Sequence, residues 1–292
     1  MTLVVAWFRA VADTKELVVV ADSRLTGAGY TNHGQKIFPL PREDCCLAFC
    51  GDSLMSYPIF IMVQSAIHNY PRDSNRSRDI SDLKNHVLNL INFYVSSWTD
   101  VSPEDFRYTC HHTRFLLAGW SWRNLDFLIY EFFFSERLAK YQARRSRYLR
   151  RFLGNDDRNR QIVVLGDYRS AFFERLSRMI NKGKQAFNYE PLAVVRDMLY
   201  EPRFHDRREI GKYEDAGRIG GPPQFLKIYA SGTSLPHAVW WPYENELRVH
   251  LFGRPLLDYE ITQFPIWDLE QMTVQYPLES IRNDRQTQPI GF

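Results

Sequence analysis

The chain has 292 residues, of which 45% are hydrophobic and 24% charged, and a net charge of +3. That length allows one large domain or two small ones, and the composition is that of a folded chain, which excludes intrinsic disorder as the general state. A charge of +3 is too small to argue for nucleic acid on its own, and runs such as Leu17 to Ala21 and Phe115 to Ala118 fall far short of the roughly 20 apolar residues that span a bilayer.

The first elements read as a hairpin: a strand over Leu3 to Phe8, the polar stretch Ala12 to Lys15, and a strand over Glu16 to Ala21. Asp22-Ser23-Arg24 closes the second strand, and the stretch holding Gly27, Gly29, Asn32 and Gly34 reads as loop. Short strands follow over Lys36 to Leu40 and Cys45 to Phe49. Ser53 is a good cap for a helix, and SLMSYPIFIMVQSAIHNY carries apolar residues on more than one side, as a helix covered on two faces would. A polar, arginine-rich loop (Pro71 to Arg78) leads to a second helix, with Leu83, Val87, Leu90, Ile91 and Tyr94 at helical spacing. Strands resume over Phe115 to Trp120 and Leu125 to Phe132, joined by a tight turn.

Residues 136–160 are strongly basic, read as a solvated helical face or an inserted excursion, with an anionic partner or a subunit contact as the functional alternatives. A nucleic-acid contact through this segment would show binding that falls steeply with salt. A buried strand over Gln161 to Leu165, a helix from about Ser170 (SAFFERLSRMI) and a helix PLAVVRDMLY come next. Strands over Phe225 to Ala230, His237 to Trp241 and Glu246 to Phe252 end the pattern, so residues from about 231 to 292 form a C-terminal β extension. Strands and helices come in runs and not as single βαβ units. This predicts an α+β fold with antiparallel sheets, and a four-layer αββα sandwich is the simplest arrangement. No linker divides the chain, so 1–292 reads as a single domain.

The N-terminal stretch lacks the basic segment, apolar core and cleavage site of a secretory signal, which points to the cytoplasm. The four cysteines (Cys45, Cys46, Cys50, Cys110) form no CxxC pair and read as small core hydrophobes. Cys110-His111-His112 is a poor metal site, because adjacent residues of a strand point to opposite faces. Ser53 lacks a Gly-x-Ser-x-Gly elbow, and Gly27, Gly29 and Gly34 are not followed by the Gly-Lys-Ser/Thr of a phosphate loop. No cofactor or metal is expected.

Thr2 carries the most specific chemistry. Removal of Met1 would leave an α-amine and a hydroxyl on one residue, a nucleophile with its own general base, since an α-amine has an ordinary pKa of about 7.7–8.0. A fixed positive charge nearby would keep that amine neutral. Lys36, held by Asp22, is the candidate, and a backbone N–H where the CCLAF strand meets Gly51 is the candidate oxyanion donor.

Thr2 at the head of a strand, the strand end VVVADSRLTG, the lysine of GQKIFPL and the junction CLAFCGDS together resemble the proteasome β-subunit family and its simpler bacterial relatives, which are N-terminal nucleophile hydrolases. FLLAGWSWRNLDFLIYEF is similar to that family's AGWD hairpin, and VVLGDYRSAFFERL to its glycine turn into the third helix. The resemblance follows the element order over residues 2–230, with its specific motifs in about the first 53. It implies an αββα sandwich, peptide cleavage by Thr2, supporting roles for Asp22 and Lys36, and an oxyanion amide at Ala48 or Phe49. Asp215 in YEDAGRIGGPPQ would help to orient the N-terminus. It also implies a peptide or protein substrate, a homo-oligomer and an unfoldase partner, or else a catalytically silent assembly protein. The chain departs from the family in a first turn about four residues longer, in Asp167 where a small residue or serine is usual, and in Arg218-Ile219 where a serine is expected.

Overall fold

The structure, a computed structural model, describes residues 2–12, 14–27, 29–146, 161–180, 187–205 and 217–277. Two valine-rich strands open it: β1 (Leu3–Val11) and β2 (Thr14–Ala21) pair antiparallel from Val4↔Ala21 to Val11↔Thr14. Two-residue strands β3 (Leu25–Thr26) and β4 (Tyr30–Thr31) form a small ladder inside the glycine-rich stretch expected to be loop. β5 (Ile37–Pro39) and β6 (Cys45–Cys50) follow.

Helix α1 (Ser53–Asn69) starts one residue earlier than a Ser53 cap implies: Asp52 is the cap, its Oδ1 accepting the Met55 N–H at 2.7 Å. The short α2 (Pro71–Ser74) lies in the arginine-rich loop, and α3 (Ile80–Ser96) buries Ile80, Leu83, Val87, Ile91 and Val95, one stripe at helical spacing. A further helix, α4 (Pro103–His112), was not anticipated. Its start signals are present in Ser102, Pro103, Glu104 and Asp105, with the Ser102 Oγ accepting the Asp105 N–H at 3.0 Å. Only Cys110 of α4 is buried, so the apolar periodicity that marks most helices is missing. Cys110, His111 and His112 therefore sit on a helix and not on a strand.

β7 (Arg114–Ser121), β8 (Asp126–Ser135) and β9 (Lys140–Arg145) form the next meander. After a single 3-10 turn over Glu136–Leu138, the basic segment thus runs as an edge strand, with Phe134 opposite Tyr141 and Tyr130 opposite Arg145, and not as a solvated helical face. Its remainder, 147–160, lies outside the described residues. β10 (Ile162–Gly166), α5 (Arg169–Met179), α6 (Glu190–Tyr200) and α7 (Pro202–His205) precede β11 (Gln224–Tyr229), β12 (Ser234–Tyr243), β13 (Glu246–Leu251), β14 (Arg254–Pro255), β15 (Ile266–Asp268) and β16 (Thr273–Gln275).

The chain is mixed α+β. A nine-stranded sheet runs β10-β1-β2-β11-β12-β13-β14, with β15 on β12 and β16 on β15, and a five-stranded sheet runs β5-β6-β7-β8-β9. The residues past 230 extend the first sheet, β12 pairing directly with β11.

Alternation along β1 explains its unbroken apolar run. Val4, Ala6 and Phe8 pack with Cys46, Ala48, Leu116 and Ala118 of the other sheet, while Leu3, Val5 and Trp7 pack with Phe172, Leu176, Leu192 and Val195 of α5 and α6. A third core joins Leu47, Phe49, Phe115 and Leu117 to Ile59, Val63, Leu83 and Val87 of α1 and α3. A strand covered on both faces has no solvent side to mark with polar residues. Full burial of each such aliphatic or aromatic side chain stabilises by about 1.5–3 kcal/mol. α1 is covered on one face only, since Leu54 and Ile61 remain 81% and 68% exposed. Among the described residues no helix is long and apolar enough to cross a membrane.

Candidate active site

Thr2 continues the β1 alternation toward the space between the sheets, the side taken by Val4 and Ala6, and is only 1% exposed. Its N–H donates to Asp167 Oδ2 at 2.8 Å, and its carbonyl accepts the Asp167 N–H at 2.7 Å. This pinch depends on Gly166, which has φ +95° and would place a Cβ 1.9 Å from the Thr2 carbonyl oxygen. Glycine is required there on both counts, for conformation and for close approach. Asp167, which departs from the residue the family resemblance implies, is thus the group that holds the Thr2 nitrogen. Arg218 is its partner, donating to Asp167 Oδ1 at 3.2 Å.

Asp22 and Lys36 meet one residue away. Lys36 Nζ lies 2.8 Å from Asp22 Oδ1, and both side chains are fully buried. The same Oδ1 accepts the Leu3 N–H at 2.9 Å, while Oδ2 accepts the Arg24 and Gly220 N–H groups, each at 3.1 Å. Four donors on one carboxylate satisfy its hydrogen-bonding capacity where water is absent. Burial lowers the Lys36 pKa, and the Asp22 carboxylate works against that shift. The pair therefore places the Lys36 ammonium behind the Asp22 carboxylate, whose Oδ1 reaches the Leu3 N–H next to Thr2, in a setting closed to solvent.

Gln224 ties these parts together and escaped the sequence reading. Its Oε1 accepts the Lys36 N–H at 2.8 Å and the Ile37 N–H at 3.1 Å; its Nε2 faces the carbonyl oxygens of Gly34 (2.7 Å) and Asp22 (3.2 Å) and the Ser23 hydroxyl (3.0 Å). A signal existed: Gln224 shares the parity of Leu226 and Ile228, which face the inter-sheet core, so it is a polar residue at an inward position.

Ala48 and Phe49 both lie inside β6, with Ala48 opposite Ile37 and Leu116. The Phe49 N–H is spent on the Lys36 carbonyl at 3.3 Å. The chain leaves the sheet two residues later, at Gly51 with φ +109°. Asp215 lies outside the described residues.

A cleft of about 900 Å³ opens against this region, with Cys50, Gly51, Gly166 and Asp167 among its walls. The Cys50 thiol in it is inert, because burial pushes its pKa up to about 12. All four cysteines are buried free thiols. Among the described residues no group of three or more His, Cys, Asp or Glu side chains is placed to hold a metal ion. Comparison with protein-family models and with curated protein sequences returns no match.

Proposed function

We propose that the chain is an amidohydrolase of the N-terminal nucleophile type, built as a four-layer αββα sandwich and most suited to peptide cleavage once Met1 is removed. The observation that carries this reading is the fully buried Asp22–Lys36 pair, anchored to the Leu3 N–H beside Thr2. In the reaction the Thr2 hydroxyl oxygen adds to the substrate carbonyl carbon while its proton passes to the Thr2 amine. The amine then delivers that proton to the departing nitrogen as the C–N bond breaks, and water hydrolyses the ester left on Thr2. Lys36, behind Asp22, favours the neutral amine by repelling a second positive charge. With the Phe49 N–H committed to the sheet, the oxyanion donor falls to the Cys50–Gly51 junction, where the strand ends beside Gly166.

The test is turnover of fluorogenic peptides by protein whose intact mass shows that Met1 is absent, compared with Thr2→Ala. Loss of turnover in the variant is expected; equal turnover in both would rule the reading out.

A second reading, a catalytically silent member that serves assembly, is favoured by one observation. Thr2 is buried and its nitrogen is engaged by Asp167 as a backbone donor. Retention of Met1 in the mature protein would support it.

A further inference from the structure

We infer that the cleft beside Thr2 receives an anionic group, so that its preferred occupants are peptides carrying Asp or Glu side chains; this rests on reading the cleft as the substrate site. Three arginines, Arg114, Arg169 and Arg218, line it together with His111 and His112. Two carboxylates, Asp52 and Asp167, share the wall, and both are turned to other work. Asp167 is divided between the Thr2 N–H and Arg218, and Asp52 caps the N-terminus of α1 through the Met55 N–H, where the helix end offsets its charge.

The arginines are left with charge to spare. Arg114 bonds Glu131 at 3.1 Å, but Arg144 claims the other oxygen of that carboxylate at 2.9 and 2.7 Å, so one negative charge serves two arginines. Arg169 has no carboxylate partner among the described residues, its guanidinium lying 5.8 Å from the Phe173 ring. The excess continues outward along the exposed Lys140, Arg144 and Arg145 of the edge strand β9. A concave wall with an excess of one charge concentrates its field on whatever enters, and planar guanidinium groups match carboxylates in paired hydrogen bonds.

The experiment measures binding, not turnover, on the full chain carrying Thr2→Ala. Hexapeptides of glutamate, glutamine and lysine are titrated calorimetrically at low salt. The glutamate peptide should bind at least about tenfold tighter than the glutamine peptide, with added salt eroding the difference. In Arg169→Glu that preference should fall to within about twofold, and Arg169→Lys should restore most of it. Thermal unfolding of both variants should match the parent, since Arg169 is exposed and makes no ion pair among the described residues. Equal binding of the glutamate and glutamine peptides overturns the inference, and so does a preference untouched by Arg169→Glu. Absence of hydrolysis by the processed parent, with the binding preference intact, would overturn the catalytic reading alone; hydrolysis with no acidic preference would overturn this inference alone.

Discussion

Two stretches of the nine-stranded sheet bury polar groups in opposite ways. Where β2 meets β11, Asp22 takes four donors and Gln224 uses both ends of its amide. Across β12 and β13, His237 and His250 are equally buried, yet each keeps its Nε2 without a hydrogen-bond partner among the described residues. Trp267 Nε1 donates to His237 Nδ1 at 3.0 Å, and His250 Nδ1 donates to the Arg248 carbonyl at 3.0 Å, so each ring is half-satisfied. An unsatisfied buried polar atom costs about 1–3 kcal/mol, whereas a satisfied network fixes geometry at little net cost. Precise placement is thus concentrated beside Thr2, and the pH-sensitive weakness lies some strands away.

The largest expected effect breaks the satisfied region. Lys36→Met keeps much of the side-chain volume but leaves the Asp22 charge buried against backbone amides alone. Removing one partner of a buried pair costs about 3–5 kcal/mol, a large part of the stability of an ordinary domain. Urea unfolding should show that loss, and turnover by the processed enzyme should fall at least about a hundredfold, because the neutral amine is no longer favoured. A loss under about 1 kcal/mol would mean that the pair is solvated and the contrast between the two regions is false.

Acid should find the other region. Burial lowers the His250 pKa to about 4 and that of His237 to about 3. Below pH 6.5 the unfolded chain takes up protons that both folded rings refuse, so unfolding becomes easier as pH falls. Between about pH 6.5 and 5.5 the two histidines together should remove roughly 2 kcal/mol, about 1 kcal/mol each, because the unfolded rings are only partly protonated at the upper end of that window. Unfolding curves at several pH values measure the slope, and His250→Phe should flatten it; a slope as steep in that variant as in the parent contradicts the assignment.

Gln224→Leu should follow at about 2–3 kcal/mol, since it strands the Lys36 and Ile37 N–H groups and the Gly34 carbonyl. Turnover should fall with stability, because the backbone that carries Lys36 is held by this amide. Normal turnover in a destabilised Gln224→Leu would separate the stability of this region from its catalytic geometry.

The sequence made the parts of this region legible unequally. β1, β2 and β6 stood out because valine-rich and apolar runs bounded by turns have few alternatives, and Asp22 and Lys36 could be paired because each sits at the end or start of such a run. Gln224 could not be placed: its partners lie 188 and 190 positions away, at Lys36 and Gly34, and local pattern carries no information over that distance. α4 lacked an apolar stripe, so its cap residues were its only signal. β9 was hidden by its charge, since Lys140, Arg144 and Arg145 read as a solvated helix until β8 supplies the pairing edge. The second face of α1 shows the reverse case, an apolar pattern that predicts cover which this chain does not provide over Leu54 and Ile61.

The smallest expected effect tests how Asp167 handles the nitrogen of Thr2. Once Met1 is gone, the atom 2.8 Å from Asp167 Oδ2 is an amine, and a carboxylate at that distance favours its protonated form. Only the neutral amine accepts the hydroxyl proton, so turnover should rise with pH through a limb displaced above the ordinary range of about 7.7–8.0. Lys36 pulls that limb down, but from behind Asp22, whereas Asp167 touches the amine directly. Asp167→Asn preserves an oxygen acceptor for Thr2 and removes the charge, and it leaves Arg218 as an uncompensated cation that further disfavours the protonated amine. The limb should therefore move to lower pH by about one unit, with turnover on the alkaline plateau nearly unchanged. A limb that stays in place while the plateau collapses would assign Asp167 to shaping the Gly166 turn, and would leave Lys36 as the group that sets the charge state of the amine.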